Sequence, residues 1–423
     1  MIAFLFKGLI RDRSKSLFPI LVVLGGVSLT VLLFCWMKGV RNDMIASTAH
    51  FQTGHAKVMT QPYAAEQDQM PNDLAMLGLD SIMADLSERY PEMEWVARIK
   101  FAGLLDIPDS QGETRAQGPV MGMAVDLLRT ETEIGKLNLK TALVRGRMPA
   151  QRGEILISED FAQKLGIKPG ATATLLSSTM YGSQAMTNFN VVGTLRFGIT
   201  PMDRGAMVAD ITDIQAALDM DNAAGEVLGF FRNDLYDDQR ASAIASDFNS
   251  RFSHSDNEFK PVMYRLTDQQ GLADYLGLID NMMGTVVTVF IIVMSIVLWN
   301  AGLIGGIRRY GEIGVRLAMG EHKGHLYRSL IGESLIIGVI GSMLGTAVGL
   351  SISYYLQIKG LDITSLKKQS TMMINNVMRA RVTPAAFVIG LIPGLLATFL
   401  GSSIAGIGIF RRQTSQLFKE LEV

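Results

Sequence analysis

The histidines His50, His55 and His254 and the serines Ser177, Ser178 and Ser183 are the residue types in the chain's long polar stretch that could hold a metal or act as a nucleophile. A zinc site needs three or four ligands at short spacings. These histidines are scattered, with no spaced partner, and the serines lack the strand–turn–helix context of a nucleophile elbow. All six read as ordinary polar surface, so neither a catalytic residue nor a metal site is expected. One cysteine, Cys35, excludes a disulfide framework and any cysteine metal site. No Gly-x-x-x-x-Gly-Lys-Ser/Thr loop occurs, so if ATP energises this protein another chain must bind it. The most patterned polar segment is Arg308-Arg-Tyr-Gly-Glu-Ile-Gly-Val-Arg-Leu-Ala-Met-Gly-Glu-His-Lys-Gly-His-Leu-Tyr-Arg328. Ile313, Leu317 and Leu326 make it amphipathic, and Glu312 and Arg316 stand at i, i+4 on its polar face. It could rest on lipid headgroups through its basic residues, or dock a cytoplasmic partner. The residues alone leave both open.

Something must position that segment, and composition says what. The 423 residues are 48% hydrophobic and only 19% charged, with net charge −1, against about a quarter charged in a soluble protein. Mean hydropathy is +0.25. Disorder, coiled coil and nucleic-acid binding are excluded by the lack of charge excess or basic bias. Four charge-free runs hold the apolar surplus: Ser16–Met37, Asn281–Ile307, Ser334–Ile358 and Val382–Phe410, of 22, 27, 25 and 29 residues. A helix crosses a bilayer in about 20. The first run follows Lys7, Arg11, Arg13 and Lys15 but is too long for a signal peptide's apolar core, and no small-x-small site follows it. It reads as a span.

Basic residues near the ends orient the spans. The first 16 residues, the segment with Arg308, Arg309, Arg316, Lys323 and Arg328, and the tail with Arg411, Arg412 and Lys419 share one side, taken as the cytoplasm. Lys359, Lys367, Lys368, Arg379 and Arg381 in the opposite short loop argue against it, so the assignment rests on the first span and on parity. Residues 38–280 then lie outside as one large domain.

That domain reads as mixed α+β. Helices are expected at Asn72–Tyr90, with Leu74, Leu77, Ile82 and Leu86 on one side, at Ser158–Leu165 capped by Ser158 and ended by Gly166, after a Thr212–Gln215 capping box, and at Asp237–Phe252. Strands are expected at Trp95–Phe101, Glu154–Ile157, Thr172–Leu176, Phe189–Leu195 and Glu226–Phe231. Lys38–His50 and Thr267–Asp280, the latter with Leu272, Tyr275, Leu276 and Ile279 on one face, are expected to continue the membrane helices outward as stalks. The division is 1–50, 51–266 and 267–423, the last with spans at 281–307, 334–358 and 382–410.

Inside the spans, ionisable residues are absent, which argues against an ion-coupled carrier or a channel. Gly341, Gly345 and Gly349, four apart, permit close packing within the chain or across a dimer. Pro384 and Pro393 are expected to bend the last span. Of 25 methionines, Met282, Met283 and Met294 fall in the second span; packing accounts for them most simply, although thioethers suit a surface that accepts varied apolar ligands.

Arg309-Tyr-Gly-Glu-Ile-Gly-Val-Arg-Leu-Ala-Met-Gly320, with Glu333 entering the third span, resembles the hallmark of the FtsX/MacB-type ABC permease family, which shares the order one span, large external domain, three spans. Gly146-Arg-Met-Pro-Ala-Gln-Arg-Gly-Glu-Ile-Leu-Ile-Ser158, Leu165–Gly170, Phe189-Asn-Val-Val-Gly193, Asp203, Asp213-Ile-Gln215 and Thr53-Gly-His-Ala-Lys-Val58 resemble its lipoprotein-releasing branch, LolC and LolE, more than FtsX. The resemblance covers essentially the whole chain. It implies four spans with the α+β domain between the first two, in the periplasm of the inner membrane. It implies a second permease chain, two ATPase chains that bind ATP and Mg, and no cofactor in this chain. It implies a coupling helix at 309–320, with Tyr310, Glu312, Ile313, Arg316, Leu317 and Gly320 meeting the ATPase, and mechanotransmission through the stalks. The substrate is then a lipoprotein or similar amphiphile, passed to a periplasmic carrier. By position, Met44, Met282, Met283, Val286 and Phe290 would line the entrance. FtsX-like control of a cell-wall hydrolase and MacB-like efflux are the alternatives.

Overall fold

The computed structural model describes residues 13–109, 111–198, 200–253, 256–269, 271–307, 310–362 and 377–411. Lys7, Arg11, His254, Arg308, Arg309, Lys367, Lys368, Arg412 and Lys419 lie outside them. The helices that matter for function are α1 (Arg13–Thr48), α2 (Leu79–Arg89), α3 (Asp238–Phe252), α4 (Leu272–Ile307), α5 (Tyr310–Ala318), α6 (Lys323–Lys359) and α7 (Leu391–Arg411). Among the described residues, four helices are long and apolar enough to cross a membrane. Two compact units divide after Asn42, within α1, and after Leu276, within α4.

The helical unit is held by glycine. Cys35 and Val23, Val27 and Val31 of α1 are buried at every fourth residue, and α6 answers with glycines at the same interval. A Cβ on Gly341 would come 2.8 Å from Val23, one on Gly345 2.8 Å from Val27, and one on Gly349 2.9 Å from Val31. Both numbers rise together, so α1 and α6 run parallel. The glycine stripe therefore packs within the chain, where backbones approach closely enough for dispersion to hold them. Helix α7 runs against α6, with Gly394 on Ser342 and Gly338 on Thr398, and along α4, with Gly401 on Trp299 and Gly306 on Ala405.

The last span is interrupted near its start, at Gly390, whose backbone stays right-handed helical. A turn at Ala386–Ile389 precedes α7, which starts at Leu391. Pro384 stands before that turn and Pro393 at the third position of α7. Proline is tolerated there because first-turn N–H groups have no helical acceptor. Beyond α6, Leu361–Asp362 pairs with Val377–Met378. Arg381 donates its N–H to Cys35 O at 2.9 Å and its guanidinium to Asn42.

The large unit is α+β. The strands of its main sheet are β1 (Ala56–Thr60), β2 (Met93–Pro108), β3 (Thr114–Val125), β4 (Leu143–Gly146), β5 (Glu154–Ser158), β6 (Thr172–Ser178), β7 (Gln184–Leu195), β8 (Ala206–Asp210), β9 (Glu226–Phe231) and β10 (Pro261–Arg265). They pair in the order β10-β1-β9-β2-β3-β8-β5-β7-β4, and β6 joins β7 to β2. That last link closes β2-β3-β8-β5-β7-β6 into a six-stranded ring, which removes the unpaired edges of these strands. The first half of β2 (Met93–Arg98) pairs with β9, and the second half (Ile99–Pro108) with β3 and, at Leu104–Asp106, with β6. One core runs under both halves, from Val58, Met93 and Trp95 to Phe161, Leu175 and Phe189.

Local chemistry explains where helices differ from expectation. The segment 72–90 is helical only at α2. Gly78, left-handed at φ 71°, breaks it from a 3-10 turn at Asn72–Leu74 and a short strand at Met76–Leu77. Leu77, expected inside, is 61% exposed. The helix Glu159–Leu165 ends at left-handed Gly166 as expected, but Ser158 makes no cap bond: its hydroxyl donates to Asp203 O at 2.7 Å. Helix Ile211–Ala217 is capped by Asp210, which accepts from Thr212 N, and Gln215 donates to Ala223 O instead of closing a capping box. Helix α3 falls where a helix was expected, and Asp237, its cap, accepts from Gln239 N and Arg240 N. Helix α1 runs to Thr48 and ends in a π-helical turn at Ala49–Thr53. A 3-10 turn at Leu266–Asp268 precedes α4, and Tyr275 is exposed while Leu276 and Ile279 are buried.

Candidate functional site

Helix α5 carries the patterned segment, and its sequence explains how it is seated. Tyr310, Ile313, Leu326 and Leu330 form a buried cluster with Leu317 against it, a stripe at helical spacing. Tyr310 Oη donates to Ala405 O of α7 at 2.6 Å. This fixes the helix start to the last span. Gly320, left-handed at φ 93°, stops the helix.

The polar side differs from expectation. Arg316 does not pair with Glu312. Its Nε and Nη2 donate to Glu321 at 2.7 and 3.0 Å, and His325 Nδ1 meets the same carboxylate at 2.6 Å. His325 and Arg316 hold the Glu321 carboxyl below its usual range. Glu321 therefore clips α5 to the start of α6. Glu312, Val315, Met319 and Gly320 are exposed on α5 and at its end, Met319 at 75%. A short helix seated by one face, pinned at both ends and exposing Val315 and Met319 can take a partner.

Of the positions placed at an entrance, Met282 and Val286 of α4 are exposed and Met283 and Phe290 are half-buried. All four belong to the helical unit. Met44, half-buried, belongs to the large unit. Gly341, Gly345 and Gly349 face α1.

The external motifs form a network that fixes the fold. Gly146, at φ 82°, lies where a Cβ would be 2.1 Å from Val192 O. Arg147 grips Glu154 through both carboxylate oxygens, and Ala150 N donates to Glu154 Oε2 at 2.8 Å. Arg147 draws the Glu154 carboxyl down to about 2. Arg152 Nε and Gly153 N donate to Asp213 at 2.9 and 2.6 Å, and Phe197 N to Asp203 at 2.7 Å. Ser177 donates to Ala102 O, which accounts for it as surface structure.

The histidines differ from the expected polar surface. His55 is fully buried, and its Nδ1 accepts from Phe231 N at 3.0 Å. Burial pulls it down to about 4. His50 meets Asp234 at 2.9 Å, and both rings lie against Phe230. Beside them Ile45 and Ala49 share a buried cluster with Val96, Leu228, Phe230, Leu266 and Leu276, so the last turns of α1 and the first of α4 are part of the large unit's core. Arg98 and Glu133, both fully buried, pair at 2.8 and 3.1 Å. Sequence reading missed this pair, which lies 35 residues apart.

Residues 16–237 match the family described as MacB-like periplasmic core domain, and residues 284–414 the one described as FtsX-like permease C-terminal. The lipoprotein-releasing system transmembrane protein LolC of Xylella fastidiosa is 24% identical over 252 residues, 58% of each chain. The macrolide export ATP-binding/permease protein MacB of Psychrobacter cryohalolentis is 22% identical over 318 residues, 75% of this chain and 42% of that one. The chain thus spans about half the length of these curated relatives. The solved periplasmic region of MacB from Actinobacillus actinomycetemcomitans aligns at TM-score 0.36 and 10% identity over 52% of this chain and 91% of that one. The α+β unit lies between the first two of four helices able to cross a membrane, and the C-terminal part resembles an FtsX-like permease; the chain belongs to the MacB-like periplasmic core family.

Proposed function

We propose that this chain is the permease subunit of an ABC complex in the inner membrane that lifts lipoproteins or similar amphiphiles out of the outer leaflet. ATP and Mg are bound by a separate cytoplasmic ATPase dimer, and the chain itself carries no catalytic step. A second permease chain completes the membrane part. The observation that carries this reading is α5, a helix pinned by Tyr310–Ala405 and by Arg316–Glu321 while Glu312, Val315 and Met319 face outward. Closure of the ATPase pulls on α5, and movement passes along α1 and α4, whose ends are built into the periplasmic core. Acyl chains are stabilised in the membrane by about 0.8 kcal/mol per CH₂, so a lipid-anchored substrate needs work to leave. The LolC relative supports this substrate class.

The test is reconstitution with the ATPase in liposomes holding a labelled lipoprotein and a soluble acceptor. ATP-dependent release is expected; none to any acceptor would sink the substrate assignment. A second reading, export of a soluble drug or peptide, is supported by the MacB relatives, and a third, FtsX-like control of a periplasmic hydrolase, by the FtsX-like C-terminal match. Recovery of a hydrolase on the periplasmic domain, with no carrier or lipoprotein, would favour the third.

A further inference from the structure

The periplasmic unit contains a cavity of about 410 Å³, within the size range of small-ligand sites. Phe51, Met70, Met121, Met123, Met202 and Met207 form its apolar wall. Thioether side chains adapt to an irregular apolar guest. Lys57 and Lys100 line the same space. Both reach one carboxylate oxygen, Oε1 of the fully buried Glu226, at 3.3 and 2.8 Å. Two cations share one anion, so the cluster carries a net positive charge beside apolar surface.

Lys57 is only 2% exposed. Burial pulls its ammonium down to about 8, against the pull of Glu226, so it is a cation whose charge is incompletely compensated. Gln269, 5% exposed, lines the cavity too. Its Nε2 donates to Thr53 O at 3.2 Å, while its Oε1 has no partner among the described residues. Asp68, the acid in the lining, is exposed to solvent. Buried positive charge and a methionine wall in one cavity describe a site for a molecule with two unlike ends.

We infer that this cavity binds a single-tailed amphiphile with an anionic headgroup, the tail among the methionines and the carboxylate or phosphate on Lys57 and Lys100. The inference concerns binding alone and stands apart from the transport reading.

The experiment uses the full-length protein in phosphatidylcholine nanodiscs. A diazirine-bearing dodecanoic acid is added, irradiated, and its attachment sites read by peptide mass spectrometry. Label is expected on the peptides holding Met121–Met123 and Met202–Met207. Dodecanoate and dodecyl phosphate should both compete, and whichever competes at lower concentration identifies the headgroup. Dodecanol, of equal tail and no charge, should compete about tenfold less well. Met123→Trp, which fills the cavity and spares the lysines, and Lys57→Met should each cut this labelling about tenfold. Labelling confined to the membrane helices overturns the inference. So does equal competition by dodecanol, or undiminished labelling of a Met123→Trp protein with an unchanged melting temperature.

Discussion

Gly345 of α6 lies against Val27 of α1 so closely that a Cβ on the glycine would stand 2.8 Å from the valine's own Cβ and 2.7 Å from Leu24 O. Real Cβ atoms do not approach like that, so any side chain must push the helices apart. Gly345→Ile is expected to destabilise the membrane bundle by roughly 1–3 kcal/mol through overpacking. Gly284→Ala, where nothing lies within 4 Å, should be neutral. Thermal unfolding of the two variants in nanodiscs makes the comparison, and equal melting temperatures would refute close packing of α1 on α6.

The buried Arg98–Glu133 pair makes a second case. Removing one partner strands a charge in the core, and Glu133→Gln should cost roughly 3–5 kcal/mol. Replacing both, as Arg98→Met with Glu133→Leu, should recover most of that loss. A double-mutant cycle on melting midpoints decides it, and additive losses would show the pair to be uncoupled.

His55 sets a pH dependence. Its folded-state value, about 4, lies below the 6.5 of the unfolded chain, because burial opposes the charged ring and outweighs the pull of Asp234. The unfolded state then binds the proton more readily, so this contribution to stability is full above pH 6.5 and is lost as pH falls toward 4. The drop is on the order of 3 kcal/mol. His55→Gln should flatten the stability profile between pH 6.5 and 4. A profile equally steep in the variant would assign the effect to another group.

The exposed side of α5 provides a test of coupling. Val315→Arg or Met319→Arg should reduce co-purification of the ATPase at least tenfold while insertion and melting temperature stay the same. Charge reversal at Glu312 should act in the same direction. Arg316→Glu should differ, since Arg316 also holds Glu321: it should weaken both ATPase retention and the stability of the bundle.

The membrane architecture was legible because a charge-free run of bilayer length seldom forms anything but a span, and the domain's helices announced themselves where Ile244, Phe248 and Phe252 repeat along α3 and Gly166 ends a turn. Strands β1, β3, β4, β8 and β10 were not, because Gly118, Gly122 and Pro261 interrupt the pattern or the run is too short to show alternation. Partners in space escaped for a plain reason. Arg316 has an acid four residues before it and another five after, and spacing favours the first, but left-handed Gly320 turns the chain so that Glu321 is the one within reach. His55 and Phe231 sit 176 positions apart, and only the pairing of β1 with β9 brings them together.

Strand β2 belongs at once to the open sheet and to the closed ring. Neither half can let go of it and stay intact, so the periplasmic unit should melt in a single step. Its amide protons from Met93 to Ile107 should be the slowest to exchange with deuterium, and at one common rate along the whole strand. A load arriving at one end would reach the other through a single unbroken backbone, with no soft joint between.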